Sequence, residues 1–322
     1  IDTVPVQEPE RWSYDPFGGE VREDRVCGRG TSDMKGAVAA MICAAAAYAD
    51  NCNRDFAGAL YVAGVVYEEL YEGVSARKIS EFVQPDYVII GEASNLNLKI
   101  GQRGRAEIVL ETIGKPAHSA NPEKGVNAVY GMMAVIEEIR KIVPNEHPLL
   151  GRGILELTDI VSAPYPGASV VPAACRATFD RRTLVGEDEA VILGQVEEAI
   201  ARAQEKHPEI KARCYLATGT EACWTGDTIS AKRYFPAWVV DENSELVVKA
   251  RRGLEAAGID APLSHFSFCT NGSHFCGEAG IPTIGYGPSL ESLAHVRDEY
   301  IEISQLTKAC RGFASILAEL TR

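Results

Sequence analysis

Gly28-Arg29-Gly30-Thr31-Ser32-Asp33-Met34-Lys35-Gly36, followed by the alanine-rich stretch Ala37 to Ala49, is the part of the chain from which its fold is read. Glycine lets the backbone turn and approach other groups closely, and the alanines behind it have high helix propensity. A helix over residues 36–50 is expected, with Ser32 or Asp33 placed to cap its start. Its many small side chains predict close packing against a sheet. Further along, Leu60 to Val66 is a short continuous apolar run, the pattern of a strand buried on both faces, and Tyr87 to Ile90 repeats it after Pro85. Strands and helices in this order imply an α/β unit with a mostly parallel sheet.

Beyond about residue 100 the texture changes. Arg105 to Ile113 and Ala174 to Phe179 alternate apolar with polar residues, as half-exposed antiparallel strands do. Residues 125–143 and 188–204 carry apolar side chains at helical spacing. From about Ser244 the buried texture returns, with a helix over 244–257, an apolar Ile281 to Gly285 and a closing helix over 304–320. The expected organisation is an α/β domain made of residues 1–100 and 213–322, interrupted by an inserted α+β domain over residues 101–212.

A chain of 322 residues has room for about two domains. Its 32 basic and 45 acidic residues give a formal net charge of −13, which excludes nucleic acid and an anionic membrane as main partners. The same charge suits a cation. Nine cysteines, without a Cys-x-x-Cys pair, fit reduced thiols in a cytoplasmic protein.

In open α/β sheets the chemistry collects at the carboxyl ends of strands. Glu68 and Glu69 follow the run ending at Val66, Glu92 follows Tyr87 to Ile90, Asp33 precedes the alanine-rich helix, and Asp2 lies in Ile-Asp-Thr-Val-Pro. His295 sits in Ala-His-Val-Arg-Asp-Glu-Tyr after a Gly-Tyr-Gly-Pro turn. Taken singly, each has an ordinary explanation: a helix cap for Asp33, a solvated pair for Glu68 and Glu69, a surface loop for His295. Together they would repel one another unless a cation lay among them, and carboxylates with one imidazole suit zinc or another first-row divalent ion. An adjacent Glu pair also permits one carboxylate to hold metal while its neighbour takes a proton from water.

These blocks, with Gly-Lys-Pro-Ala-His-Ser-Ala at residues 114–120, resemble the M20 metallopeptidases, the family of succinyl-diaminopimelate desuccinylase, acetylornithine deacetylase, aminoacylase and carboxypeptidase G. Within it the resemblance is strongest to the YgeY-type hydrolases. It implies two zinc ions per chain, with cobalt or manganese as substitutes: Asp33 bridging them, Glu92 on the first, Glu69 and His295 on the second. Glu68 would be the general base, and Asp2 would orient a histidine ligand that the family places two positions earlier, so the N-terminus is expected to be truncated. The inserted domain would be a ferredoxin-like lid through which a homodimer forms. From it His118 would donate to the oxyanion in the partner subunit, and Arg182 would grip a substrate carboxylate. Asn271, which stands where the family more often has Asp, is a further substrate contact, and His265 and His274 flank its segment. The implied reaction is hydrolysis of an amide bond in a small N-acyl amino acid, dipeptide or carbamoyl compound. The alternative is a metal-poor relative that binds without catalysing; a thiol hydrolase would need a cysteine in a recognisable nucleophile turn.

Overall fold

In the computed structural model, which describes residues 2–321, the chain enters through the hairpin β1 (Glu20–Arg22) and β2 (Arg25–Cys27) and passes the glycine-rich loop into α1 (Gly36–Asn51). Helix α2 (Ala76–Val83), β3 (Val88–Ile90) and β4 (Leu98–Gln102) complete the first part of unit 1, which comprises Ile1–Gln102 and Trp238–Arg322. Unit 2, Arg103–Ala237, holds β5 (Gly104–Ile113), α3 (Ala128–Ile139), β6 (Glu146–His147), β7 (Gly151–Arg152), β8 (Ile154–Ala163), β9 (Ala174–Thr183) and α4 (Glu189–Lys206). It closes with β10 (Lys211–Leu216), β11 (Thr218–Ala222), β12 (Thr228–Lys232) and β13 (Tyr234–Phe235). The chain then returns to unit 1 with β14 (Trp238–Val239), α5 (Glu245–Ala256), β15 (Leu263–Phe266), β16 (Thr283–Gly285), β17 (Tyr300–Glu302) and α6 (Ile303–Leu320).

The sheet of unit 1 runs β14-β4-β16-β3, with β15 also on β4. Its β15–β4 and β16–β3 pairings are parallel, whereas β14 and β16 meet β4 antiparallel, so the sheet is mixed. Helix α6 packs against both α1 and α5. Alanines 37, 40 and 44 of α1 are buried, the close packing that their size permits. The start of α1 differs from the expected cap. Neither Ser32 nor Asp33 caps it: the Ser32 hydroxyl meets that of Ser289 at 2.5 Å, and the Asp33 carboxylate is engaged elsewhere.

Leu60 to Val66 also departs from expectation. It pairs with no strand among the described residues, and Tyr61, Val62 and Val66 are exposed. An apolar run becomes a buried strand only when a neighbouring strand takes up its N–H and C=O groups; here the segment instead lines a cavity of about 600 Å³ with α1, α6 and β3.

Unit 2 follows the β-α-β-β-α-β order of a ferredoxin-like sandwich, its antiparallel sheet running β10-β5-β9-β8. The core joins Ile108 and Leu110 of β5, Ala177 and Phe179 of β9, Met132 and Val135 of α3, and Ile192 and Val196 of α4. Each larger side chain buried there contributes about 1.5–3 kcal/mol. Helix α4 is capped by Asp188, which accepts from the Val191 N–H at 2.9 Å. The chain leaves this unit at residue 237 rather than at 213. One edge of the ten-residue β5 is long enough for two partners, β10 against residues 108–113 and β13 against residues 105–106, which keeps the intervening segment in unit 2.

Candidate metal centre

Asp33 lies where the backbone is extended (φ −126°, ψ 96°) between the glycine turn and α1, so its side chain leaves the helix axis. Glu68 and Glu69 come from the turn that precedes α2, Glu92 from the end of β3, and His295 from the loop before β17. Gly287 lets that last region close on β3, because a Cβ there would lie 2.4 Å from the carbonyl oxygens of Gly91 and Glu92. All of these residues belong to unit 1.

Three of the four expected ligands form a tight group. The His295 Nε2 lies 3.1 Å from Asp33 Oδ2 and 3.0 Å from Glu69 Oε2, and one ligand atom from each residue falls within 4.8 Å of the others. Glu92 is buried, and Asp33 and Glu69 are among the groups that act on its carboxyl. Asp33 is thus close to the Glu69–His295 pair and is one of the groups that act on Glu92. Asp2 accepts from the Glu69 N–H at 3.1 Å, which ties it to a ligand-bearing residue.

The electrostatics are those of a site short of positive charge. Burial first, and then Glu92, Glu72, Glu69 and Asp33, hold the Glu68 carboxyl well above the usual carboxylate range. Burial, Asp33 and Glu69 do the same to Glu92. Hydrogen bonds to Asp33 and Glu69 raise the His295 imidazole to about 10. Among the described residues the buried Glu68 Oε1 has no hydrogen-bond partner. Carboxylates and an imidazole that converge in this way, with an unsatisfied buried oxygen beside them, fit a divalent cation of the zinc, cobalt or manganese type.

The remaining expected residues are placed differently. Asn271 Oδ1 accepts from the Gly73 N–H at 3.0 Å, and the residue lines the same cavity as Asp33 and Glu68. His118 and Arg182 lie in unit 2. His118 is exposed and accepts from the Ala120 N–H at 3.0 Å through Nδ1; Arg182 pairs with Asp180 at 2.7 Å. His274 is buried in a network with Ser80 (2.6 Å) and Glu278 (2.8 Å), and His265 bonds the Phe266 carbonyl at 3.0 Å. Glu72, a buried acid beside Glu68, was not among the expected site residues, nor were Arg29 and Glu299. Glu299 stands inside the quoted Asp-Glu-Tyr block, directly before β17, and only its position marked it.

A group of carboxylates with one imidazole, carried on an α/β unit that a ferredoxin-like unit interrupts, is a donor set of the kind metallopeptidases use. Comparison with known proteins gives the family directly: the model of peptidase family M20/M25/M40 matches residues 1–319, and the chain belongs to that family. It is 30% identical over 325 residues to the uncharacterized protein YgeY of Escherichia coli K12, covering 98% of this chain and 78% of that protein. It is 27% identical over 318 residues to a succinyl-diaminopimelate desuccinylase of Cereibacter sphaeroides, covering 95% of this chain and 77% of the other. Among solved structures, the M20 metallo-carboxypeptidase Sso-CP2 of Sulfolobus solfataricus superposes with a TM-score of 0.71 over 98% of this chain and 82% of its own, at 16% identity. At that identity the likeness concerns the fold.

Proposed function

We propose that the protein is a di-zinc amidohydrolase, with cobalt or manganese able to replace zinc, that cleaves an amide bond in a small N-acyl amino acid, dipeptide or carbamoyl compound. The observation that carries this reading is the convergence of Asp33, Glu69 and His295 on one point, with Asp33 also acting on the buried carboxyl of Glu92. In this reading Asp33 would be shared by two cations, Glu92 would hold one, and Glu69 and His295 would hold the other. The bound cations supply Lewis acidity, polarising the scissile carbonyl and easing the ionisation of water near neutral pH.

Glu68 then acts as general base and later as general acid. Its carboxyl, raised by burial and by its acidic neighbours, binds a proton more tightly than an exposed glutamate, so it can take one from the attacking water and return it to the leaving amine. Asp2 keeps the Glu69 segment in place through its backbone N–H. Arg182 is assigned to the substrate carboxylate, Asn271 to a substrate contact and His118 to the developing oxyanion in a homodimer. Edge strand β8, with Ile160 and Val161 exposed, supports a second copy as the partner of unit 2. The cytoplasm is the proposed location, in line with nine cysteines that form no disulfide.

The test is Glu68→Gln. Turnover should disappear while the bound metal, measured by elemental analysis, stays at the wild-type level. Retained turnover would remove Glu68 from the reaction, and a wild-type protein that takes up no metal would overturn the reading as a whole.

A further inference from the structure

Glu299 is fully buried, four residues after His295 and directly before β17. Its Oε1 accepts from the N–H groups of Ser32 (2.8 Å) and Asp33 (3.0 Å), and its Oε2 from the Gly30 N–H (2.9 Å) and the Arg29 guanidinium (2.6 Å). Its backbone carbonyl accepts from the Gly28 N–H at 2.9 Å and the Tyr14 hydroxyl at 2.8 Å. Arg29 is itself buried and lies 5.2 Å from the Trp12 ring centroid. Gly30 has φ +79°, a conformation that turns its N–H toward the carboxylate and that glycine adopts without strain.

One side chain therefore collects three amides and a guanidinium from the five residues that lead to Asp33. Bonds to an ionised acceptor are shorter and roughly twice as strong as neutral ones, and several amides aimed at one point form an anion-binding nest. The extended backbone at Asp33 has left the helical ladder, and Glu299 gives its N–H a partner. The chain around Glu299 is fixed as well, because neighbouring Asp298 accepts from the Ser13 N–H (2.8 Å) and hydroxyl (2.9 Å).

We propose that Glu299 is the positioning residue of the metal centre, joining the loop that presents Asp33 to the segment that presents His295. This rests on the di-metal reading. Arg29 neutralises Glu299, so this buried carboxylate holds the site without adding to its uncompensated charge. In a Glu299→Gln protein one oxygen still accepts, but the NH2 group faces either the Ser32 and Asp33 N–H groups or the Gly30 N–H and Arg29, so about half of the anchor is lost.

The test compares wild type with Glu299→Gln by competition between the protein and a chelator for Zn²⁺, and by the visible spectrum of the Co²⁺ form, at a temperature where circular dichroism shows both folded. Metal affinity should fall about 10- to 100-fold, the usual effect of losing a group that orients a ligand. The Co²⁺ bands should shift, and kcat should fall with little change in KM. In a double-mutant cycle with Asp33→Asn the losses of affinity should be non-additive. If Glu299→Gln does not fold, Arg29→Met, which keeps the three amide bonds, should show a smaller loss in the same direction. Wild-type affinity and Co²⁺ bands in whichever variant folds would overturn the assignment, as would additive losses. A wild type that takes up no metal would instead overturn the di-metal reading, and the role of Glu299 with it.

Discussion

Two glutamates, half-buried Glu68 in unit 1 and buried Glu138 in unit 2, face opposite electrostatic surroundings. Glu138 on α3 is 4% exposed and is met by Lys141 at 2.7 Å, Lys206 at 2.5 Å and Arg202 at 3.4 Å. Lys141 first, then Lys206, hold its carboxyl down to about 2. The charged groups acting on Glu68 are all carboxylates, and with burial they push it up. Glu187 resembles Glu138, accepting from buried Arg181 at 2.8 Å, Asn145 at 3.0 Å and the Leu184 N–H at 3.0 Å. An acid whose counter-charge comes from its own fold serves stability. An acidic cluster with one imidazole for five carboxylates is, in the proposed reading, a place for a cation from outside.

The largest effect that would break this contrast is catalytic. Glu68→Gln should lower kcat about 10²- to 10⁴-fold, the range for general acid–base catalysis, with little change in melting temperature. A strongly destabilised Glu68→Gln would make Glu68 structural after all. Next, Glu187→Ala should destabilise unit 2 by about 3–5 kcal/mol, because it leaves Arg181 charged and buried without its partner; chemical denaturation measures it, and a loss near zero would erase the distinction between the two kinds of acid. Stripping metal with a chelator and restoring Zn²⁺ at a hundred times its Kd should return about 2.7 kcal/mol of stability, and Glu69→Gln should reduce that gain. Calorimetry with and without metal shows it.

The smallest effect sharpens the comparison through pH. The folded-state pKa of Glu138 is depressed to about 2 from an ordinary value near 4.5, so its contribution is complete above that ordinary value and disappears as pH falls through 2. The difference in melting temperature between wild type and Glu138→Gln should be constant from pH 7 to about 5 and shrink steadily below that. A difference that grows toward low pH would contradict the assignment.

The closeness of some candidate residues was legible because a strand end and a helix start are marked locally, whereas their roles came only from the family resemblance. Glu92 after Ile-Ile-Gly and Asp33 before the alanine run could be placed from adjacent residues alone. The ferredoxin-like unit was legible in the same way, since β5 and β9 alternate and α3 and α4 carry periodic apolar faces. The errors came from partners distant in sequence. Leu60 to Val66 has the composition of a central strand, but a strand exists only through its neighbours, and composition does not name them. The exit from unit 2 was placed too early because the continuation of the β5 edge by β13 depends on register. Glu299 went unassigned because its role rests on backbone amides almost the whole chain away, at a separation of 267 residues from Ser32.

That separation has a consequence for how the protein is made. At about 5–20 residues per second the ribosome needs on the order of tens of seconds to pass from Asp33 to Glu299. Unit 2 is continuous in sequence, so its strands and helices are all available while the segment carrying His295 and Glu299 is still unsynthesised. Until then the glycine-rich loop has neither its anchor nor its imidazole partner, so a nascent chain cannot assemble the complete ligand group. In the proposed reading, metal capture at the full site thus waits until the segment carrying His295 and Glu299 has been made.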